Sequence, residues 1–226
     1  MSQPHHYRIR PLNPEAHLFE VSLTVAEPDP AGQVFAMPAW IPGSYMIRDY
    51  AKHVVAIRAD ADGLGVPLEK LDKSRWRAAP VTRPLTVTAE IYAHDASVRG
   101  AHLDTTHAYF NGPCVFLEVA GQAEVPCRVD IEPPEPPLGR DWRVATAMRR
   151  DGAEEYGFGR YAAADYAELI DHPVEIGNLA IGEFAVEGVP HAIAIRGRTR
   201  VDMARLVHDL ETLCAEHMRL LGKPDD

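Results

Sequence analysis

Pro38-Ala39-Trp40-Ile41-Pro42-Gly43-Ser44-Tyr45-Met46-Ile47-Arg48-Asp49-Tyr50 is the stretch that decides how this chain is read. Pro38 and Pro42 each remove a backbone donor and press the preceding residue into extended geometry, and Gly43 admits a positive φ, so no helix or continuous strand runs through it. It is a corner between two alternating runs: Gln33 to Met37 before it, and His53, Val55, Ile57 and Ala59 after it. Trp40 and Tyr45 are expected to bury much area for few rotatable bonds, and Arg48 with Asp49 to form a charge pair that locks the turn. The corner is therefore read as a stability element, with Trp40 packed and the Ser44 hydroxyl exposed. It holds no nucleophile beside a base and no metal-ligand spacing.

Outward from the corner the sequence has the period of half-buried strands. His17 to Ala26 sets Phe19, Val21, Leu23 and Val25 against Glu20, Ser22 and Thr24, and Pro84 to His94 sets Leu85, Val87, Ala89 and Ile91 against Thr86, Thr88, Glu90 and Tyr92. Shorter runs follow at Val66 to Leu71 and at Ser74 to Ala78, where Trp76 points inward. Turn signals every ten residues or so imply an antiparallel sandwich. Cys114 to Ala120 and Val125 to Glu132 read as a hairpin around Gly121-Gln122, and Trp142 to Ala147 as a further strand. After about Asp151 the pattern changes, with a short helix over Ala162 to Ile170 and a hairpin of Leu179 to Val186 with His191 to Arg196 around Glu187-Gly188. A long amphipathic helix then carries Met203, Leu206, Val207, Leu210, Leu213, Cys214, His217 and Leu221 on one stripe. The expected fold is mainly β: an antiparallel β-sandwich over residues 1–162, then the start of an α+β unit over residues 163–226.

The chain has 226 residues, 46% hydrophobic and 25% charged, which is the composition of a globular protein with a proper core. A net charge of -10 argues against nucleic acid and against an anionic membrane surface. The polar start, Met1 to Arg10, and the shortness of the apolar runs point to the cytoplasm. Cys114, Cys127 and Cys214 are too widely spaced for a disulfide framework or a zinc knuckle, so reduced thiols are expected.

Residues able to do chemistry are few. His102-Leu103-Asp104-Thr105-Thr106-His107 places two imidazoles and a carboxylate within six residues. That spacing is not the i, i+4 pair that puts two histidines on one helical face, and its surroundings read as loop, so no metal is assigned to it. His5 and His6 fall in a terminus expected to fray, and His217 on the apolar stripe is read as packing. No nucleophile elbow, phosphate-binding loop or dinucleotide fingerprint occurs.

Trp40 to Tyr50 closely resembles the hallmark of the N-terminal region of the glycyl aminopeptidase family of PDZ-carrying zinc metallopeptidases. Thr106-His107-Ala108-Tyr109-Phe110-Asn111-Gly112-Pro113, Trp142 to Ala147 and Asp165 to Gly177 resemble that family in the same order. The resemblance implies an architecture like aminopeptidase N, with a β domain, a thermolysin-like catalytic domain and a PDZ module. The family's His-Glu-x-x-His helix does not occur in residues 1–226, so the chain is expected to be a non-catalytic N-terminal part, without cofactor of its own, of an enzyme that binds zinc and peptide elsewhere. The motif positions, structural or cleft-lining, are Trp40, Pro42, Gly43, Ser44, Tyr45, Arg48, Asp49, Tyr109, Asn111 and Gly112; none is assigned as catalytic or metal-binding. The expected partners are the catalytic and PDZ domains, or a second copy meeting it through the C-terminal helix. The alternative is a stand-alone β-sandwich that binds a carbohydrate or a protein through Trp40, Tyr45, Trp76, Tyr109 and Phe110.

Overall fold

The computed structural model describes residues 3–41 and 43–223. Its contacts divide into two compact units, Met1–Ile176 and Gly177–Asp226. The first is a set of sheets around one hydrophobic core, and it begins with a strand that the sequence analysis left out. His5–Asn13 alternates buried and half-buried positions, with Tyr7 and Ile9 inward and Arg8 and Arg10 outward. The period was hidden because a histidine occupies the first inward position. His5 is buried rather than frayed, and burial pushes its imidazole pKa down. His6 Nε2 donates to Asp130 Oδ2 at 2.6 Å.

That strand lies inside an eight-stranded sheet. In spatial order the strands are Arg149–Arg150, Gly159–Ala163, Cys127–Ile131, His5–Asn13, Leu18–Val25, Leu85–Tyr92, Val54–Ala61 and Leu64–Val66. The most regular pairing joins Leu18–Val25 to Leu85–Tyr92, with Leu18 opposite Tyr92 through to Val25 opposite Leu85. Both runs were legible because each keeps one apolar face. The pairing of His5–Asn13 with Cys127–Ile131 is parallel. Cys127–Ile131 therefore does not return on Glu118–Val119 as the expected hairpin; Glu118–Val119 pairs with Val34–Ala36 instead. A register shift between Val54 and Ala56 also breaks the expected alternation of His53, Val55, Ile57 and Ala59. Val55 is left 60% exposed, while Ala59 and Ala61 are buried.

Two four-stranded sheets contribute to the same core. One runs Arg143–Ala145, Val174–Gly177, His107–Phe110, Ala101–Leu103, and the other Glu118–Val119, Val34–Ala36, Arg75–Ala78, Leu68–Lys70. Edge-to-face rings tie strands of the different sheets together: Phe19 meets Phe110 at 5.9 Å, Phe110 meets Phe116 at 5.7 Å, and Phe116 meets Tyr7 at 5.3 Å. Trp76 is buried, as its strand pattern required. The expected helix over Ala162 to Ile170 resolves into a strand, Gly159–Ala163, and a helix, Tyr166–Asp171. The helix starts where Asp165 accepts from Glu168 N and Glu168 Oε2 accepts from Ala164 N, a reciprocal cap that the Asp-x-x-Glu spacing encodes.

The second unit is a hairpin and a helix. Leu179–Val186 pairs with Val189–Arg196 across Glu187-Gly188, both at positive φ (49° and 81°), the geometry of a type I′ turn. The helix Met203–Leu221 is capped by Asp202, which accepts from Arg205 N. It packs on Leu179–Val186 at Gly182, where a Cβ would come within 2.6 Å of Val207 Cγ2 and 2.8 Å of Met203 Sδ. Its covered side runs Met203, Leu206, Val207, Leu210, Cys214 and Met218. Leu213, His217 and Leu221, expected on that side, face outward, because Met218 takes the inward place one residue after His217.

Phe116 is fully buried between Tyr7 and Phe110. Phe116→Ala should cost about 3–5 kcal/mol in denaturant unfolding. A midpoint equal to that of the wild type would mean the ring is no part of the core.

Candidate functional site

Two of the motif segments, Trp40 to Tyr50 and Thr106 to Pro113, meet at one backbone segment, Val98-Arg99-Gly100. Its carbonyls have side-chain donors as partners. Tyr50 Oη donates to Arg99 O at 2.9 Å, and Cys114 Sγ to the same oxygen at 3.5 Å. Tyr109 Oη donates to Val98 O at 2.8 Å; Asn111 Nδ2 reaches Val98 O at 2.6 Å and Tyr109 Oη at 3.0 Å. Burial pushes the Tyr50 phenol up and the Cys114 thiol up to about 12, so both stay protonated as donors. Gly100 is required, since a Cβ there would lie 2.5 Å from Asp95 Cγ. Gly112 lets the helix Tyr166–Asp171 approach, because its Cβ would sit 2.5 Å from Ile170 Cα. Tyr109, Asn111 and Tyr50 thus act on the same piece of chain, which no sequence spacing announced.

Arg99 extends this frame to the corner: its Nη2 donates to Gly43 O at 2.7 Å. The corner closes on itself through Arg48 N and Asp49 N, which both donate to Ala39 O (2.7 and 3.1 Å). Ser44 is its centre. The Ser44 hydroxyl donates to Met46 O at 3.1 Å and accepts from Met46 N at 3.2 Å and Arg48 Nε at 3.3 Å, while Ser44 O accepts from Trp40 Nε1 at 2.8 Å. Ser44 is buried, and the expected packing of the aromatics is reversed. Trp40 is 45% exposed, Met46 64%, Ile47 65%, and Tyr45 is fully exposed. Polar bonds hold this corner, so its apolar side chains are free to point outward. Arg48 and Asp49 do not lock the turn as a pair: Asp49, at φ 49°, meets Lys73 Nζ at 2.8 Å, and Arg48 turns to Ser44. Pro42, a motif position, lies outside the described residues.

A second cluster surrounds the six-residue His102–His107 segment, which is a hairpin rather than a loop. Ala101–Leu103 pairs with His107–Phe110, with His102 opposite Tyr109. His107, two residues before Tyr109, is therefore on the same face as His102, a diagonal neighbour across the strands. The two rings stack at 4.6 Å, with planes 27° apart. Asp104 Oδ1 accepts from Thr106 N, Thr106 Oγ1 and His107 N at 2.6, 2.6 and 3.0 Å. Burial works against the Asp104 carboxylate, but the Thr106 hydrogen bonds and the His107 imidazole outweigh it and hold its pKa at about 2. The row continues through His94, stacked 5.5 Å from His102, to His17, stacked 4.0 Å from His94, and His17 Nδ1 donates to Leu103 O at 2.6 Å. Sequence spacing missed the contribution of His17 and His94, which arrive from strand ends of the large sheet.

This mainly β frame is found again in a solved structure. The chain superposes with a TM-score of 0.92 on an aminopeptidase N family protein from Idiomarina loihiensis, at 38% identity, over 96% of this chain and 36% of that one. It thus spans about a third of the length of that structure. Residues 6–178 match the model of the Peptidase M61 N-terminal domain, and the chain belongs to that family. No curated protein matches the sequence. Among the described residues, no helix is long and apolar enough to cross a membrane.

Asn111→Ala strips partners from a buried site and should cost about 2–3 kcal/mol in urea unfolding, whereas Tyr45→Ala should cost under about 0.5 kcal/mol. Equal losses would contradict the assignment of Asn111 as frame and Tyr45 as exposed surface. Asp104 gives a second prediction. Its folded pKa lies below the ordinary 3.8, so its stabilisation is full above about pH 4 and is lost as pH falls toward about 2. Unfolding midpoints of Asp104→Asn should therefore fall less steeply than those of the wild type across that interval.

Proposed function

We propose that this chain is the non-catalytic N-terminal part of a zinc aminopeptidase of the glycyl aminopeptidase kind, which removes N-terminal residues from peptides and carries its catalytic and PDZ domains elsewhere. M61 peptidases are zinc metallopeptidases. The catalytic zinc is not assigned to this chain, whose sequence contains no His-Glu-x-x-His. The observation that carries the reading is the corner, in which Trp40, Tyr45, Met46 and Ile47 are exposed yet anchored through Ser44, Arg99 and Lys73. An apolar tip held by polar bonds is suited to wall a peptide cleft or to seat a neighbouring domain. The N-terminal domain is taken to include the strands Gly159–Ala163 and Val174–Gly177 of its sheets, with the catalytic domain beginning after about residue 176 rather than at 163. The free thiols of Cys114, Cys127 and Cys214 support a cytoplasmic site. The outward Leu213, Leu220 and Leu221 of the final helix support cover by the catalytic domain or by a second copy.

The same exposed aromatics support a second reading, a stand-alone module that binds a carbohydrate or a protein. Assay of glycyl p-nitroanilide separates the two. The 226-residue chain should give no turnover, and the longer enzyme should turn the substrate over and lose about fivefold or more in kcat/KM on Trp40→Ala with Tyr45→Ala. Chelator-sensitive turnover by the 226-residue chain would sink the non-catalytic assignment. Unchanged kcat/KM in the double variant would favour the binding module.

A further inference from the structure

We propose that His102, Asp104 and His107 form a metal site that takes one divalent ion of the zinc type. One ligand atom from each residue lies within 4.8 Å of the other two. Asp104 stands between the imidazoles, with Oδ2 3.9 Å from His102 Nε2 and Oδ1 3.3 Å from His107 Nδ1. Donors held tetrahedrally at about 2.0–2.1 Å from zinc are about 3.3 Å apart, so a closure of up to about 1.5 Å, within reach of side-chain rotation, completes the set.

The ligand set suits the ion chemically. Two imidazoles and one carboxylate are borderline donors that favour zinc over magnesium, which demands oxygen ligands and keeps its water. Neighbouring contacts hold two of the ligands in place. Asp104 is oriented by the Thr106 amide and hydroxyl, His102 is stacked on His94, and His94 on His17, which is bonded to Leu103 O. His107 is buried and the Asp104 side chain about one third exposed, so the site opens to solvent on the carboxylate side, where a water fills the fourth position. The His-x-Asp-x-x-His spacing fails on a helix and succeeds on a hairpin, because residues diagonal across paired strands share a face.

The test is calorimetric titration of zinc chloride into the metal-stripped 226-residue chain, with magnesium chloride as control. One zinc per chain with a Kd of about 10 μM or tighter is expected, with no magnesium uptake. His102→Gln should abolish that site, and Asp104→Asn, which keeps the Thr106 cap acceptor, should weaken it at least tenfold. His172→Gln, away from the cluster, should bind as the wild type. Histidine-ring NMR gives a second readout: zinc should shift the His102 and His107 nitrogens and leave His172 unmoved. Folded His102→Gln and Asp104→Asn that bind zinc as tightly as the wild type, or a wild-type chain that takes up none, would overturn the proposal.

Discussion

The constraint around which the candidate site is built is the pairing of the carbonyls of Val98, Arg99 and Gly100, of which Gly100 is buried, Arg99 half-buried and Val98 exposed. A buried acceptor without a partner costs free energy comparable to a lost hydrogen bond. Those of Val98 and Arg99 take donors that are side chains: two phenols, an amide and a thiol, supplied by Tyr50, Tyr109, Asn111 and Cys114. Gly100 O accepts from the backbone amide of Asn111 at 3.2 Å. Each donor belongs to, or lies beside, a motif segment. Two motif segments, one ending at Tyr50 and one carrying Tyr109 and Asn111, answer one requirement, and Arg99 links it to the corner through Gly43.

The corner illustrates a general exchange between polar and apolar anchoring. A loop held by its aromatic side chains must bury them, so its tip is inert. A loop held through a serine hydroxyl, two amides on one carbonyl and a lysine bridge can expose the same aromatics without losing its shape. Exposed tryptophan and tyrosine then lose little conformational entropy when something is laid against them.

Strands with one clean apolar face, Leu18–Val25 and Leu85–Tyr92, were legible in the sequence, as were the Glu187-Gly188 turn and the final helix. Those elements obey a single local period. What failed to read did so for long-range reasons. His5–Asn13 is strand only because Cys127–Ile131 and Leu18–Val25 flank it, and its inward histidine disguises the pattern. Val55 is thrown outward by a register shift set by its partner strand. The imidazole row joins His17, His94, His102 and His107 from separate strands, so helical spacing rules were blind to it. The burial of Trp40 was misjudged because Ser44 and Arg99 compete with it for the role of anchor.

The parallel pairing of His5–Asn13 with Cys127–Ile131 also orders events during synthesis. The strand His5–Asn13 can pair at once with Leu18–Val25 on one edge, yet its other edge stays open until residue 131 has left the ribosome. Gly159–Ala163 must follow before Cys127–Ile131 is itself covered. Until then the nascent chain presents an unpaired edge on the strand that carries Arg8 and Arg10, and like-charged arginines on such a strand discourage pairing with the same strand of a neighbouring chain.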